Sequence, residues 1–239
     1  MNKITTLYRI NRYIAMCGVC SRRKADSLIK NGDIKINGKV VQELGYKINR
    51  NDHVTFNGKL IKIEKKRYIL LNKPKDFITT MSDERGRKTV ITLIKNSCKE
   101  RLVPVGRLDR NTTGLLLFTN DGDLAKKMSH PRFGVKKTYN VEIDKDLSLE
   151  HFEKIKSGVM LDDGVALIDK ITYLEKKNKI TIQLHIGRNR IIRRIFEHFN
   201  YKVLKLDRIQ FSIFTKKNLQ IGKWRKITSD ELKEIKSIS

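Results

Sequence analysis

Asp109 is the residue of this 239-residue chain whose setting most suggests chemistry. It stands between Arg107 and Arg110. The polar turn Asn111-Thr112-Thr113-Gly114 follows, and then the apolar run Leu115-Leu116-Leu117-Phe118. That order predicts a loop delivering one acid to the mouth of a buried strand. An Asp beside Asn, Thr and Gly also commonly does no more than close a turn. A hydrolase would need a second carboxylate, for which Asp121 and Asp123 are the candidates in sequence. The intervening strand of about five or six residues would hold its ends roughly 15–20 Å apart. Paired glycosidase acids need roughly 5–9.5 Å. The histidines, at 53, 130, 151, 185 and 198, lack zinc-like spacing. Cys17-Gly-Val-Cys20 has no second pair, and Cys98 is isolated, so thiol packing is expected rather than metal or redox chemistry. The sequence thus predicts neither a metal site nor a cofactor.

Charge narrows the partner. Fifty-two Lys and Arg against 26 Asp and Glu give a net charge of +26, spread along the chain, which makes a polyanion the natural partner. With 39% hydrophobic and 33% charged residues the chain is expected to fold around a core. No apolar run reaches the roughly eighteen residues of a membrane span, and the N-terminus lacks the apolar region of a signal peptide. A cytoplasmic protein without membrane association is the expectation.

The elements that would carry Asp109 fall into two groups. Residues 1–7 read as a short tail. Arg9–Met16 places Ile10, Tyr13 and Ile14 at helical spacing and ends at Gly18. Ser21 caps a second helix with Ala25, Leu28 and Ile29 inward, terminated by Gly32. Arg22, Arg23 and Lys24, beside the free N–H groups of that helix start, suit a phosphate backbone. Asn37-Gly38 and Asn57-Gly58 predict tight hairpins. A charged linker near 62–67 divides the chain into domains 8–66 and 67–239. In the second, Tyr68–Leu71 is a strand stopped by Pro74, and Val90–Ile94 starts a short helix. Asp123 caps a helix reaching Met128, and Val135–Ile143 alternates with Tyr139, Val141 and Ile143 on one face. Ile168–Leu174 and Lys179–His185 form a hairpin. Arg190–Phe199 is a helix with Ile191, Ile192, Ile195, Phe196 and Phe199 inward, and Val203–Phe214 is extended. Thr228 and Glu231 form a capping box. Strands and helices without regular βαβ alternation indicate an α+β fold with a mainly antiparallel mixed sheet.

GRLDRNTTGLLLFTNDG, residues 106–122, resembles the signature of the RsuA/RluB group of bacterial ribosomal RNA pseudouridine synthases. LNKPKDFITTMSDERGRKTV, MSHPRFGVKKTYNVEI and IGRNRIIRRIFEHFNYKVLKLDRIQF resemble three further motifs of that family, and SRRKADSLIKNGDIKINGKVV resembles an S4 RNA-binding domain. The resemblance implies a small S4 domain followed by a synthase domain, with Asp109 as the catalytic carboxylate, Tyr139 at the active site and Arg193 as the partner of Asp109. Arg107, Arg110, Arg188, Asn189 and Arg190, together with Arg22, Arg23 and Lys24, become candidate RNA contacts. The last motif departs from the family pattern, with Ile186, Ile191 and Ile195 where Glu, Gln and Met are common. Its G-R-N-R core is closer to the large-subunit enzymes, especially the B type, than to the small-subunit one. The implied reaction isomerises uridine to pseudouridine in ribosomal RNA, with 23S RNA or an assembling large subunit as the expected partner of a monomeric enzyme. The rival readings are a non-catalytic RNA-binding or ribosome-assembly factor on the same fold, and the small-subunit (16S) enzyme.

Overall fold

The computed structural model describes residues 7–49 and 51–237, so the tail expected at the N-terminus lies, apart from Leu7, outside the described residues. The chain divides into two compact units. The first comprises residues 1–67 with the short segments 99–102 and 120–122, and the second the remainder.

In the first unit the helices Ile10–Met16 and Arg22–Lys30 pack on a four-stranded antiparallel sheet that contains Ile34–Ile36 and Val54–Phe56. Ile10, Ile14, Ala25, Ile29, Ile34, Ile48 and Val54 are fully buried and make its core. Leu28 is only partly covered. Asn37-Gly38 and Asn57-Gly58 each take positive φ at both positions, as two-residue hairpin turns require. Burial pushes the Cys17 thiol up to about 12, which keeps it protonated and unreactive. Asp121 is buried and paired with Lys66 at 2.7 Å, so it does not serve as a second catalytic carboxylate.

The second unit is built on a nine-stranded sheet. Its main path runs Lys170–Tyr173, Lys179–Leu184, Lys137–Ile143, Val203–Phe211, Thr113–Thr119, Tyr68–Lys73, Trp224–Lys226. All these neighbours are antiparallel except Val203–Phe211 against Thr113–Thr119, which is parallel. Leu115, Leu116, Leu117 and Phe118 are all fully buried, so this strand is covered on both faces, as its unbroken apolar run predicts. Each such side chain contributes roughly 1.5–3 kcal/mol by leaving water. The parallel crossing depends on Gly114. Its φ is +108°, and a Cβ there would collide with the backbone of Arg208.

Several boundaries differ from those the sequence suggests. The Tyr68 strand continues through Lys73 because Asn72 and Lys73 have buried partners of their own. The helix after the signature begins at Gly122, which places Asp123 in its first turn rather than at its cap. Phe199 is half-buried at the end of the Ile191–His198 helix, and Asn200 turns the chain with φ +59°. The extended segment from Val203 breaks at Ser212, also at positive φ, and resumes at Phe214. Thr228 and Glu231 form the expected capping box.

Candidate active site

Asp109 sits in a loop whose position is set from beneath. Lys73, fully buried, donates from Nζ to the carbonyl oxygens of Pro74 (3.0 Å), Asp109 (3.2 Å), Arg110 (3.2 Å) and Thr112 (2.8 Å). The backbone of the signature turn thus wraps around one ammonium group. Burial lowers the pKa of Lys73 to about 8, against the opposing pull of Asp109 and Asp76. Thr79 Oγ1 donates to Leu108 O at 2.7 Å and accepts from Leu108 N at 3.2 Å, pinning the residue before the acid. The turn itself closes through Thr112 N to Asp109 O at 3.0 Å. The Asp109 carboxylate therefore plays no part in closing it.

That carboxylate is one-third exposed and lines a cavity of about 330 Å³, within the range of small-molecule sites. Arg190 Nη1 lies 3.8 Å from Asp109 Oδ2, and Arg193 Nε lies 4.0 Å from the same oxygen. Arg193 is the more enclosed of the two, its side chain 10% exposed against 45% for Arg190. It donates to Val203 O at 3.0 Å, while its Nε and Nη2 are buried without an acceptor. Burial and the neighbouring Arg190 depress its pKa, and Asp109 opposes them. Arg190 precedes the Ile191–His198 helix in a left-handed conformation, φ +47°, which turns the chain sharply at the cavity.

Tyr139 is buried in the cavity wall. Arg107 is exposed at the rim, and so is Asn189. Arg188 also lines the cavity, but its guanidinium is held by Gly164 O at 2.7 Å and Asp163 at 3.3 Å. Asp163 holds Arg194 as well, at 2.7 Å. Arg110 departs from the group: it forms an exposed ion pair with Asp76 at 3.0 Å and does not line the cavity. Of the family departures, Ile186 and Ile191 line the cavity, so apolar surface stands where hydrogen-bonding side chains are common. Ile195 is in the core. In the first unit, Ser21 Oγ accepts from Lys24 N at 3.2 Å, and Arg22, Arg23 and Lys24 are exposed at a helix start that has no acidic residue in its first turn.

Sequence reasoning missed Lys73, Thr79, Asp163, Lys137 and Arg208. Lys137 and Arg208 both line the cavity, 8% and 3% exposed. A buried lysine in K-K-T-Y and an arginine in L-D-R were visible only as members of an abundant residue type.

One carboxylate in a cleft rimmed by arginines, with an aromatic wall, defines an enzyme site suited to an anionic, ring-bearing substrate. Residues 67–198 match the family described as RNA pseudouridylate synthase, and residues 9–54 match the S4 domain. A ribosomal large subunit pseudouridine synthase B of Bacillus subtilis is 39% identical, over 97% of this chain and 96% of its own length. An uncharacterized RNA pseudouridine synthase of Aquifex aeolicus is 41% identical, over 95% of this chain and 93% of its own. A crystal structure of a pseudouridylate synthase superposes with a TM-score of 0.68 at 25% identity, covering 95% of this chain and 99% of that one. The chain belongs to the RNA pseudouridylate synthase family and is an RNA pseudouridine synthase with an S4 domain.

Proposed function

We propose that the substrate is a uridine of large-subunit (23S) ribosomal RNA and that Asp109 is the carboxylate that drives its isomerisation. The observation that carries this reading is the Asp109 carboxylate itself, unused by its own turn and facing Arg190 and Arg193 across a cavity walled by Tyr139. A uridine within an RNA helix cannot rotate, so it must leave the stack at a cost of about a few kcal/mol. Tyr139 offers the extruded ring a flat face. Asp109 then attacks C1′ or removes the C2′ proton, the N1–C1′ bond breaks, and the uracil turns and rejoins through C5. Arg193 and Arg190 keep the acid ionised at the moment it is covered by the base. Arg107 and Asn189 at the rim, and Arg22, Arg23 and Lys24 of the S4 unit, contact the RNA backbone. The names of the Bacillus relative and of a second large subunit pseudouridine synthase B, from Pseudomonas aeruginosa at 33% identity, support the large-subunit assignment. We take the protein to act as a cytoplasmic monomer without membrane association, with domains at 8–66 and 67–239.

Tritium release from large-subunit ribosomal RNA labelled at C5 of uridine tests the proposal. Wild type is expected to release it and Asp109→Asn to release none while binding the RNA as well. A wild-type protein that binds this RNA without releasing tritium would instead be an assembly factor. Release from small-subunit RNA alone would move the assignment to the 16S enzyme.

A further inference from the structure

Two buried cations in the Asp109 cavity have no part in the chemistry described so far. Lys137 lies two residues before Tyr139 on the same strand, so alternation points both at the cavity. Arg208 reaches it through an irregularity in the sheet. The Lys137–Ile143 and Val203–Phe211 strands pair Thr138 with Gln210 but Tyr139 with Arg208, leaving Ile209 as an extra residue. Such a bulge flips the following side chains to the other face. Arg208 therefore shares a face with Phe211, and its guanidinium stands 4.7 Å from that ring's centre. Gly114 lets the neighbouring strand approach the backbone of Arg208, and Arg208 Nε donates to Leu115 O at 2.7 Å.

Neither cation has an acid partner among the described residues. Lys137 Nζ donates to one acceptor, His185 O, at 2.9 Å. Asp169, the acid that acts on it electrostatically, is engaged by His185 at 2.6 Å. Arg208 Nη2 is buried with no acceptor at all. Thr112 Oγ1, also on the cavity wall, is buried and unpaired as well. Unpaired buried donors around a cavity are costly in the free protein and are satisfied when a ligand supplies acceptors.

We propose that Lys137 and Arg208 bind the carbonyl oxygens of the flipped uracil and take up the negative charge the ring gains when N1–C1′ breaks. The proposal rests on the pseudouridine synthase reading of the cavity. Along the nucleophilic route Asp109 bonds to C1′ as N1 leaves, and that bond breaks when C5 attacks. Along the elimination route Asp109 removes the C2′ proton and later returns it. In both, the bonding pair departs with N1, and the charge is shared by N1, O2 and O4. The C5–C1′ bond then forms, the C5 proton is lost, and N1 takes one up. No oxidant or reductant is involved. Donors fixed in a water-poor cavity stabilise such a charge far better than water does.

Lys137→Met keeps the unbranched apolar stem, one atom shorter, and removes the charge. Arg208→Gln removes the second charge with a shorter, still polar side chain, with folding checked by circular dichroism. Two transcripts of large-subunit ribosomal RNA serve as probes, one labelled with tritium at C5 of uridine and one carrying 5-fluorouridine. The electron-withdrawing fluorine makes the ring a better leaving group, so it relies less on protein cations. Lys137→Met is expected to lose about 10²-fold in single-turnover rate at saturating labelled RNA, with Kd nearly unchanged. Its deficit with 5-fluorouridine should be about tenfold smaller. There C5 carries fluorine and has no proton to lose, so water adds at C6 of the C5-linked ring, and nuclease digestion with mass spectrometry reads that added water. A rate within threefold of wild type, or an equal deficit on both RNAs, overturns the proposal, and Lys137→Met alone decides if Arg208→Gln does not fold. Wild-type protein inactive on both RNAs overturns the reading beneath it, a separate and recognisable result.

Discussion

Arg190 Nη1 lies slightly nearer to Asp109 Oδ2 than Arg193 Nε does, 3.8 Å against 4.0 Å, yet Arg193 is the better shielded from water. Distance and burial thus favour different partners. An exposed pair is weakened by solvent and by the entropy of holding a long side chain, whereas a desolvated one is not. Double-mutant cycles with Asp109→Asn should give a coupling of about 1–3 kcal/mol to Arg193→Leu and below about 1 kcal/mol to Arg190→Leu. The measurement is denaturant unfolding of each single and double variant. A larger coupling to Arg190 would make that arginine the counter-ion.

Lys73 and Lys137 are both pushed down to about 8 by burial, but their substitutions should act in opposite directions. Lys73 shares its three N–H groups among four carbonyls, so Lys73→Met leaves those acceptors stranded and should cost roughly 3 kcal/mol or more. Lys137 satisfies one, so Lys137→Met at pH 7 should leave the melting temperature unchanged or higher. Between pH 8 and about 10 the unfolded chain binds the protons that these two folded-state lysines have released. Stability contributed by both sites therefore rises with pH across that window, and Lys137→Met should flatten the rise.

Gly114→Ala should be among the most damaging single methyl additions in the chain. It combines a φ of +108° with a collision against the Arg208 backbone at the parallel strand crossing. A loss of roughly 2–4 kcal/mol is expected, read from the urea midpoint. The same shift displaces Arg208, so surviving folded protein should also turn over more slowly.

Arg22→Ala with Arg23→Ala addresses docking. These residues are exposed at the start of the Arg22–Lys30 helix and have no candidate catalytic acid beside them. The double variant should bind RNA more weakly and lower the slope of log affinity against log salt by up to about 1.5–2. Its single-turnover rate at saturating RNA should stay at the wild-type value.

Local signals were readable where neighbouring residues decide the outcome. Asn-Gly turns, the Ser21 and Thr228 caps, and the unbroken apolar run after Gly114 need only a few adjacent positions, and each appears in the fold. The acid was readable because the long signature around it resembles that of a known family; its polar turn alone would equally suit an Asp that only closes a turn. Its companions were harder. Arg110, next to Asp109 in sequence, turns away to Asp76, while Arg190 arrives from another part of the chain. Lys73 draws its meaning from carbonyls distant in sequence, and Arg208 from a bulge that changes which face it occupies. No periodicity in the sequence records either.

The grip of Lys73 and Thr79 on the loop backbone also makes the Asp109 side chain dispensable for shape. If Asp109 drives the reaction as proposed, a form altered at that single carboxylate is expected to keep its cavity while losing its chemistry. Such a form should act as a trap: it is expected to seize the RNA site, fail to release it by reaction, and be recovered from a cell extract with the bound segment still attached for sequencing.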